Sequence, residues 1–213
     1  MPATNLINTL VFDWDGTLAD SAQLGLAAFQ KTFAELEVPF PLDVYEAAYS
    51  PNWYSTYEAL GLPREKWQQA DELWLQHYGE DTAGLIEGVA ETLLGLHDKG
   101  YALGVVTSGT ESRVRRELQQ SSLSSVFGAI ICNEHTVNKK PHPEGLALAL
   151  QRLGSSAEEA AYVGDAPEDI EMGKSARVLT VGVKSNYPSS ARLLTAAPDI
   201  YLHSIRELAK HFQ

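Results

Sequence analysis

Short apolar runs alternate with helical patterns at the start of the chain and again through its second half. Most of these runs lack the polar alternation of a strand with one face in water, so we expect strands buried on both faces of a parallel sheet. The predicted strands are Thr9–Phe12, Ala102–Thr107, Ala129–Cys132, Ala160–Val163 and Thr180–Val183. The predicted helices follow them, at about residues 21–36, 91–99, 113–120 and 143–153. This order predicts an α/β fold, with a Rossmann-like parallel sheet core and helices on both faces.

The segment from residue 20 to residue 83 interrupts this alternation directly after the first strand. It contains no convincing buried-strand run, is rich in aromatic residues, and has helical spacing from Glu65 to Tyr78. We therefore predict an inserted all-helical cap domain at 20–83, carried by a core domain of residues 1–19 and 84–213. The two connections, near Leu18–Ser21 and Thr82–Gly88, are expected to form a hinge.

Polar clusters stand at the ends of the first four predicted strands. They are Asp13 with Asp15, Thr107 with Ser108, the segment Asn133 to Lys140, and Asp165 to Asp169. In an open parallel sheet, ligands bind outside the carboxyl ends of the strands. The four clusters are therefore expected to converge on one site.

The acidic residues in these clusters indicate a cation. Asp13 and Asp15 are two apart on an extended chain, so both can face one bound group, although Asp and Gly are also ordinary turn residues. Asp165 and Asp169 add a second acidic pair at the same edge, where an acidic helix start is the ordinary alternative. Two such clusters would repel each other without a cation between them, and hard oxygen ligands in this number suit Mg²⁺.

The remaining two clusters can bind an anion. The segment Thr107-Ser108-Gly109-Thr110 offers a hydroxyl and backbone N–H groups, or else a plain helix cap. In Lys139-Lys140-Pro141-His142-Pro143 the prolines stiffen the chain beside Lys140, while Lys139 is expected at the surface. Phosphoryl transfer needs cations around the phosphoryl oxygens, a nucleophile and a proton donor, and the four clusters together supply this set.

Four motifs occur in a fixed order along nearly the whole chain. They are Asp-x-Asp-Gly-Thr-Leu at 13–18, Thr-Ser-Gly at 107–109, Lys-Pro-x-Pro at 140–143 and Val-Gly-Asp-x-x-x-Asp at 163–169. This arrangement resembles the haloacid dehalogenase superfamily, specifically its phosphoglycolate phosphatase and β-phosphoglucomutase-like branch, whose helical cap follows the first strand. The resemblance implies a magnesium-dependent phosphatase that hydrolyses a small phosphate monoester through an aspartyl-phosphate intermediate.

The resemblance also implies roles for individual residues. Asp13 would be the nucleophile and Asp15 the general acid/base, Lys140 would bridge the nucleophile and the phosphoryl oxygens, and Thr107 would bind the phosphoryl group. Backbone amides at Ser108 and Gly109 would assist Thr107 in binding substrate. The expected Mg²⁺ ligands are Asp13, the Asp15 backbone carbonyl and Asp165, with Asp169 acting through water or from behind the ligands.

Specificity is expected to come from the cap. Asn52 and Trp53 lie where such caps reach the substrate, although aromatic packing inside the cap is the ordinary reading of this segment. Farther along, the segment Lys184-Ser185-Asn186-Tyr187 departs from the sequence that the resemblance implies, and we expect this change to affect the rim of the site or a partner surface.

Other functions remain open at this stage. A β-phosphoglucomutase-like sugar phosphomutase shares the roles of Asp13 and Asp15 and differs in how its cap excludes water. A response-regulator-like receiver has similar strand-end residues, but the cap, the chain length and Asp15 disfavour it. A catalytically inactive binding module on the same scaffold is the third alternative.

Composition limits the partners. Lys and Arg number 16 against 28 Asp and Glu, and a net charge of −12 would repel nucleic acid. Arg113, Arg115 and Arg116 form the longest basic cluster and are predicted to lie on a solvated helix face. Cys132 is expected to be a buried, inert thiol. With no signal peptide or membrane span in the sequence, we expect a cytoplasmic monomer or homodimer that binds a small phosphorylated metabolite.

Overall fold

A parallel sheet forms the centre of the computed structural model, which describes residues 6–79 and 82–212. In these residues the sheet has six strands in the order β3-β2-β1-β4-β5-β6, and every pair of neighbours is parallel. The strands are β1 (Thr9–Phe12), β2 (Ala102–Val106), β3 (Ala129–Ile131), β4 (Ala160–Gly164), β5 (Leu179–Val183) and β6 (Ile200–Leu202). Strand β1 lies between β2 and β4, so Asp13 leaves the sheet near its middle.

Helices cover both faces of this sheet. Successive side chains of a strand point to opposite faces, and β1 follows this rule. Its Leu10 and Phe12 pack in one apolar cluster and its Val11 in another. The first cluster also takes residues from α5 (Val89–Asp98), α6 (Glu111–Gln120) and α9 (Leu208–His211), and the second from α7 (Glu144–Leu153) and α8 (Pro167–Ser175). The predicted α/β core with helices on both faces is confirmed.

The sequence did not predict strand β6. The predicted strands are all present, with ends that differ by no more than one residue, but β6 was not among them. It contains only three residues, Ile200–Leu202, and pairs with β5 at the edge of the sheet. A run this short has no periodicity that distinguishes it from a loop.

Four helices lie between β1 and α5 in the described residues. They are α1 (Ala22–Glu35), α2 (Leu42–Ala48), α3 (Trp53–Ala59) and α4 (Trp67–Tyr78), with a 3₁₀ turn at Arg64–Lys66 before the last. They share an apolar cluster of their own, in which Phe29, Phe33, Tyr45, Tyr57 and Trp74 are buried. We call α1 to α4 the cap. The predicted helical insertion is therefore confirmed, whereas its exact bounds at residues 20 and 83 stay a prediction.

The two connections between the cap and the sheet lie side by side. Ala19 forms an antiparallel bridge with Leu85. The amide of Asp20 donates to the carbonyl of Gly84, and the amide of Ile86 donates to the carbonyl of Leu18, both at 2.9 Å. This paired backbone gives the predicted hinge a defined position. None of the helices in the described ranges is long and apolar enough to cross a membrane.

Candidate active site

Asp13 occupies the first position after β1, and its side chain is largely buried. Its amide donates to the carbonyl of Val163 at 2.9 Å, which extends the pairing of β1 with β4 and fixes the backbone at this point. The ammonium of Lys140 donates to Asp13 Oδ1 at 2.5 Å and to Asp169 Oδ1 at 2.8 Å. Lys140, from the loop after β3, is 5% exposed. The predicted neighbours Asp13 and Lys140 thus form a buried ion pair.

Asp165 brings a second carboxylate to the end of β4. The Ser185 hydroxyl donates to Asp165 Oδ2 at 2.6 Å, and the Thr17 hydroxyl lies 3.4 Å from Oδ1. One carboxylate oxygen each from Asp13, Asp165 and Asp169 lies within 4.8 Å of the others, and all three residues are buried. The strand-end carboxylates therefore meet as the sequence predicted.

Asp169 faces this group from the first turn of α8, but its oxygens are already occupied. Oδ2 accepts from the amides of Asp165 and Ala166, at 3.1 and 3.0 Å. Oδ1 accepts from Lys140 and from the Tyr162 hydroxyl, at 2.8 and 3.3 Å. A carboxylate has about four lone-pair sites. Asp169 is therefore arranged to orient Lys140 and the start of α8.

Burial dominates the electrostatics of the cluster. It raises the pKa of Asp13 to about 7, even though Lys140 opposes this change. Burial and the charge of Asp13 raise the pKa of Asp165 well above its usual value. The two carboxylates on Lys140 outweigh its own desolvation and hold its pKa well above the usual range. The site thus carries more buried carboxylate than Lys140 alone can neutralise.

Asp15 points to a different set of partners. Arg113 Nη1 donates to Asp15 Oδ1 at 2.9 Å and Nη2 to Oδ2 at 2.5 Å, a bidentate pair. The Ser21 hydroxyl also donates to Oδ1, at 2.6 Å. Burial alone would raise the pKa of Asp15, but the Arg113 guanidinium outweighs it and holds the pKa below its usual value. Asp15 therefore rests as a carboxylate in this arrangement.

The prediction that Arg113 lies on a solvated helix face is wrong. Its side chain is 5% exposed, because α6 turns this position toward the sheet edge. Arg113 also lies 3.3 Å from Glu117, one turn later, and Glu117 accepts from the Trp14 indole and the Tyr78 hydroxyl. Arg115, by contrast, is 57% exposed, as expected. An i, i+4 Arg–Glu pair has the same sequence on a buried face as on a solvated one, so the sequence alone did not reveal the site residue.

The loop after β2 provides the predicted hydroxyl. Thr107 is buried, and its amide donates to the carbonyl of Ile131 at 2.9 Å. Its Oγ1 accepts from the amide of Gly109 at 3.0 Å, which leaves the hydroxyl proton available to a ligand. Thr107, Ser108 and Gly109 line the same cleft as Asp13 and Asp165.

This cleft lies between the sheet edge and the cap. It is partly open to solvent. The cap contributes Phe29, Tyr49, Ser50, Pro51, Trp53 and Trp74 to its walls. Of the two predicted cap contacts, Trp53 lines the cleft, whereas Asn52 lines a neighbouring depression with Ser108 and Lys139.

Two site residues come from the segment that departs from the family's usual sequence. Ser185 binds Asp165, as described above, and Tyr187 lines the cleft. The Tyr187 hydroxyl lies 3.0 Å from Ser21 Oγ, and its ring stacks on that of Tyr49 in the cap with centroids 5.0 Å apart. The sequence alone does not predict these contacts, because they depend on how β5 and the cap are placed.

Comparison with known proteins gives consistent matches over most of the chain. A family model for haloacid dehalogenase-like hydrolases matches residues 10–183. The chain is 32% identical over 209 residues to pyrophosphatase PpaX of Listeria monocytogenes, covering 96% of each protein. It is 30% identical to phosphoglycolate phosphatase of Salmonella typhi, over 95% of this chain and 91% of that protein. A haloacid dehalogenase-like hydrolase of Streptococcus pneumoniae superposes with a TM-score of 0.84 at 25% identity, over 98% of this chain and 100% of that one.

Proposed function

The chain belongs to the haloacid dehalogenase-like hydrolase family, and from this premise we propose that it is a magnesium-dependent phosphatase. Its substrate in this proposal is a small phosphate monoester, and the reaction passes through an aspartyl-phosphate intermediate. The observation that supports this most strongly is the position of Asp13, a buried carboxylate that lines the cleft while paired with Lys140. Relatives named as a pyrophosphatase and a phosphoglycolate phosphatase support the same class of reaction.

The residues at the sheet edge fit a magnesium ion. Asp13 and Asp165 present buried carboxylate oxygens close to one another, and burial raises the pKa of both. Oxygen donors of this kind, few in number, are what Mg²⁺ takes from proteins. We propose Asp13, Asp165 and the backbone carbonyl of Asp15 as ligands, with Asp169 held behind them by its four hydrogen bonds. When bound, the ion supplies positive charge between the nucleophile and the phosphoryl oxygens.

Asp13 acts as the nucleophile in this mechanism. One of its carboxylate oxygens attacks phosphorus, the bond from phosphorus to the leaving oxygen breaks, and an acyl phosphate forms on Asp13. Lys140, already bound to Asp13 Oδ1, stabilises the negative charge that gathers around the phosphoryl group. The Thr107 hydroxyl and the backbone near Ser108 and Gly109 bind the phosphoryl oxygens.

Asp15 handles the proton in both steps. It first donates a proton to the leaving alcohol oxygen, and it then takes a proton from the water that attacks phosphorus and releases Asp13. Its pairing with Arg113 favours the carboxylate, which suits the second step. For the first step, Asp15 has to hold a proton when the leaving group binds, and its side chain already lines the cleft.

A panel of phosphate esters tests the proposal, assayed with magnesium and with a chelator. We expect phosphate release from the native protein that depends on magnesium, and a loss of at least about 10³-fold in kcat for Asp13→Asn, because the nucleophile is removed. Asp98→Asn is the matched control, since it makes the same chemical change at a side chain that is 82% exposed. Acid quenching during turnover of a labelled phosphate ester should trap label on the native protein and none on Asp13→Asn. Full activity of Asp13→Asn would refute the mechanism.

A further inference from the structure

The cap wall of the cleft is aromatic and carries no charge. Its six residues are Phe29, Tyr49, Ser50, Pro51, Trp53 and Trp74, and the four aromatic rings among them lie opposite the carboxylates at the sheet edge. Phe29 and Trp53 both pack on Trp74, with ring centroids 6.0 and 5.8 Å away. Such rings offer flat apolar surface to the part of the substrate that lies beyond its phosphate.

The core wall offers a second anionic group no cation whose charge is not already offset by carboxylates. Among the described residues that line the cleft, Arg113 is the one cationic side chain. Both its terminal nitrogens bind Asp15, and Nη1 also lies 3.3 Å from Glu117. Lys140 lies behind Asp13 and is bound to it and to Asp169. A carboxylate or second phosphate on the leaving group would therefore lose hydration without gaining a counterion.

Three buried polar atoms on residues that line the cleft lack a partner: Trp74 Nε1, Ser189 Oγ and Arg113 Nε. Trp74 is 8% exposed and Ser189 is 1% exposed, and Trp74 Nε1 and Ser189 Oγ make no hydrogen bond within the described structure. Buried polar groups are nearly always paired, and one that is not costs about 1 to 3 kcal/mol. An indole N–H can only donate. Trp74 Nε1 and Ser189 Oγ are covered in this arrangement, so an acceptor on a bound ligand would pair with them once the cap shifts around it.

We propose that the leaving group of the substrate is an uncharged ring that carries a hydrogen-bond acceptor. Its flat face would lie against Trp53 and Trp74, and its acceptor would receive the Trp74 N–H or the Ser189 hydroxyl. A sugar and a nucleoside both have this chemistry. The inference rests on the proposed phosphatase function, but it separates this chain's substrate from phosphate compounds whose second half is also anionic.

A series of substrates that differ by one group at a time tests whether the leaving group has to be uncharged. Phosphoglycolate and ethylene glycol monophosphate differ only in a carboxylate against a hydroxymethyl group, so we expect at least tenfold higher kcat/KM for the second. Pyrophosphate should be hydrolysed as poorly as phosphoglycolate. A higher kcat/KM for phosphoglycolate or pyrophosphate would overturn the inference and leave the phosphatase function standing. No hydrolysis of any compound would refute the phosphatase function itself.

Further members of the series test whether the leaving group has to contain a ring. A hexose 6-phosphate and a nucleoside 5′-monophosphate should each be compared with glycerol phosphate, which is neutral beyond its phosphate but acyclic. We expect at least one ring compound to exceed glycerol phosphate tenfold in kcat/KM, and the better of the two identifies the kind of ring. Equal values for ring and acyclic esters would overturn the inference.

Variants of two tryptophans on α4 test the hydrogen bond. Trp74→Phe keeps a ring in the cleft and removes the unpartnered N–H, so KM for the preferred ring substrate should rise about three- to tenfold. Trp67→Phe is the matched control, because Trp67 lies outside the cleft and its indole donates to the carbonyl of Leu62. Ser189→Ala should also raise KM while leaving the free protein at least as stable. If Trp74→Phe and Ser189→Ala both keep the native KM, the acceptor is not recognised as proposed.

Discussion

Ionisation of Asp13 should cost the metal-free protein part of its stability. Burial raises the pKa of Asp13 from 3.8 to about 7, so the native protein holds this proton more tightly than the unfolded chain does. The resulting stabilisation is fully present below the unfolded pKa, near 4, and is lost as the pH rises through about 7. At about 1.4 kcal/mol per pH unit, this interval corresponds to about 4 kcal/mol of unfolding free energy.

Asp13→Asn removes this contribution, together with the effect of the Asp13 charge on the pKa of Asp165. The amide has the shape of the neutral carboxyl group and cannot ionise, while Lys140 keeps its second partner, Asp169. In the presence of a chelator, the native protein should lose up to about 4 kcal/mol more than Asp13→Asn between pH 4 and pH 8. For a chain of this length, about 1 kcal/mol corresponds to about 2 to 4 °C in Tm, so the difference is of order 10 °C.

Urea denaturation and thermal unfolding at a series of pH values measure the effect. Asp98→Asn, altered at an exposed carboxyl, should follow the native curve. Magnesium at pH 8 should stabilise the native protein more than Asp13→Asn, because an ion that binds only the folded state shifts the equilibrium toward it. If the free energy of unfolding of the native protein and of Asp13→Asn changed with pH in parallel, ionisation of the buried Asp13 would not destabilise the protein as proposed.

Two further substitutions follow from the packing around the site. Arg113→Ala leaves the carboxylates of Asp15 and Glu117 without their buried partner, so urea denaturation should show a loss of about 3 to 5 kcal/mol; a loss below about 1 kcal/mol would contradict this. Gly16→Ala places a Cβ 2.5 Å from Asp165 Oδ2 at a residue whose φ is +82°, so calorimetry should show a lower Tm and magnesium titration a weaker response. Native values for both measurements would contradict this reasoning.

The sequence predicted the sheet and the convergence of its polar ends because both depend on local pattern. A continuous apolar run such as Ala160–Val163 identifies a strand buried on both faces, and the parallel arrangement then brings every carboxyl end to one edge. Asp13 and Asp165 follow from this reasoning, since each is the first residue after its strand. Lys140 lies farther along the loop after β3, in the cluster Asn133 to Lys140. Their meeting in the structure needed no knowledge of any individual side chain.

The contacts between the cap and the core could not be predicted in this way. Whether Arg113 binds Asp15 or water depends on which face α6 turns toward the sheet edge, and its neighbours in sequence look the same in both cases. The stacking of Tyr187 on Tyr49 joins residues that are 138 positions apart in the sequence. Such pairs are set by the angle of the cap on the core, which no local pattern encodes.

Tyr78 has a consequence for anyone who builds chimeras of this enzyme. It ends α4 in the cap, yet its hydroxyl donates to Glu117 and its ring lies 5.0 Å from the Arg113 guanidinium, both in α6 of the core. A foreign cap grafted onto this core would remove that ring and one of the donors to a buried carboxylate. The graft would therefore have to bring a tyrosine at the corresponding position. Because of these contacts, the cap and the core have to be designed together, although the predicted hinge is where the chain joins them.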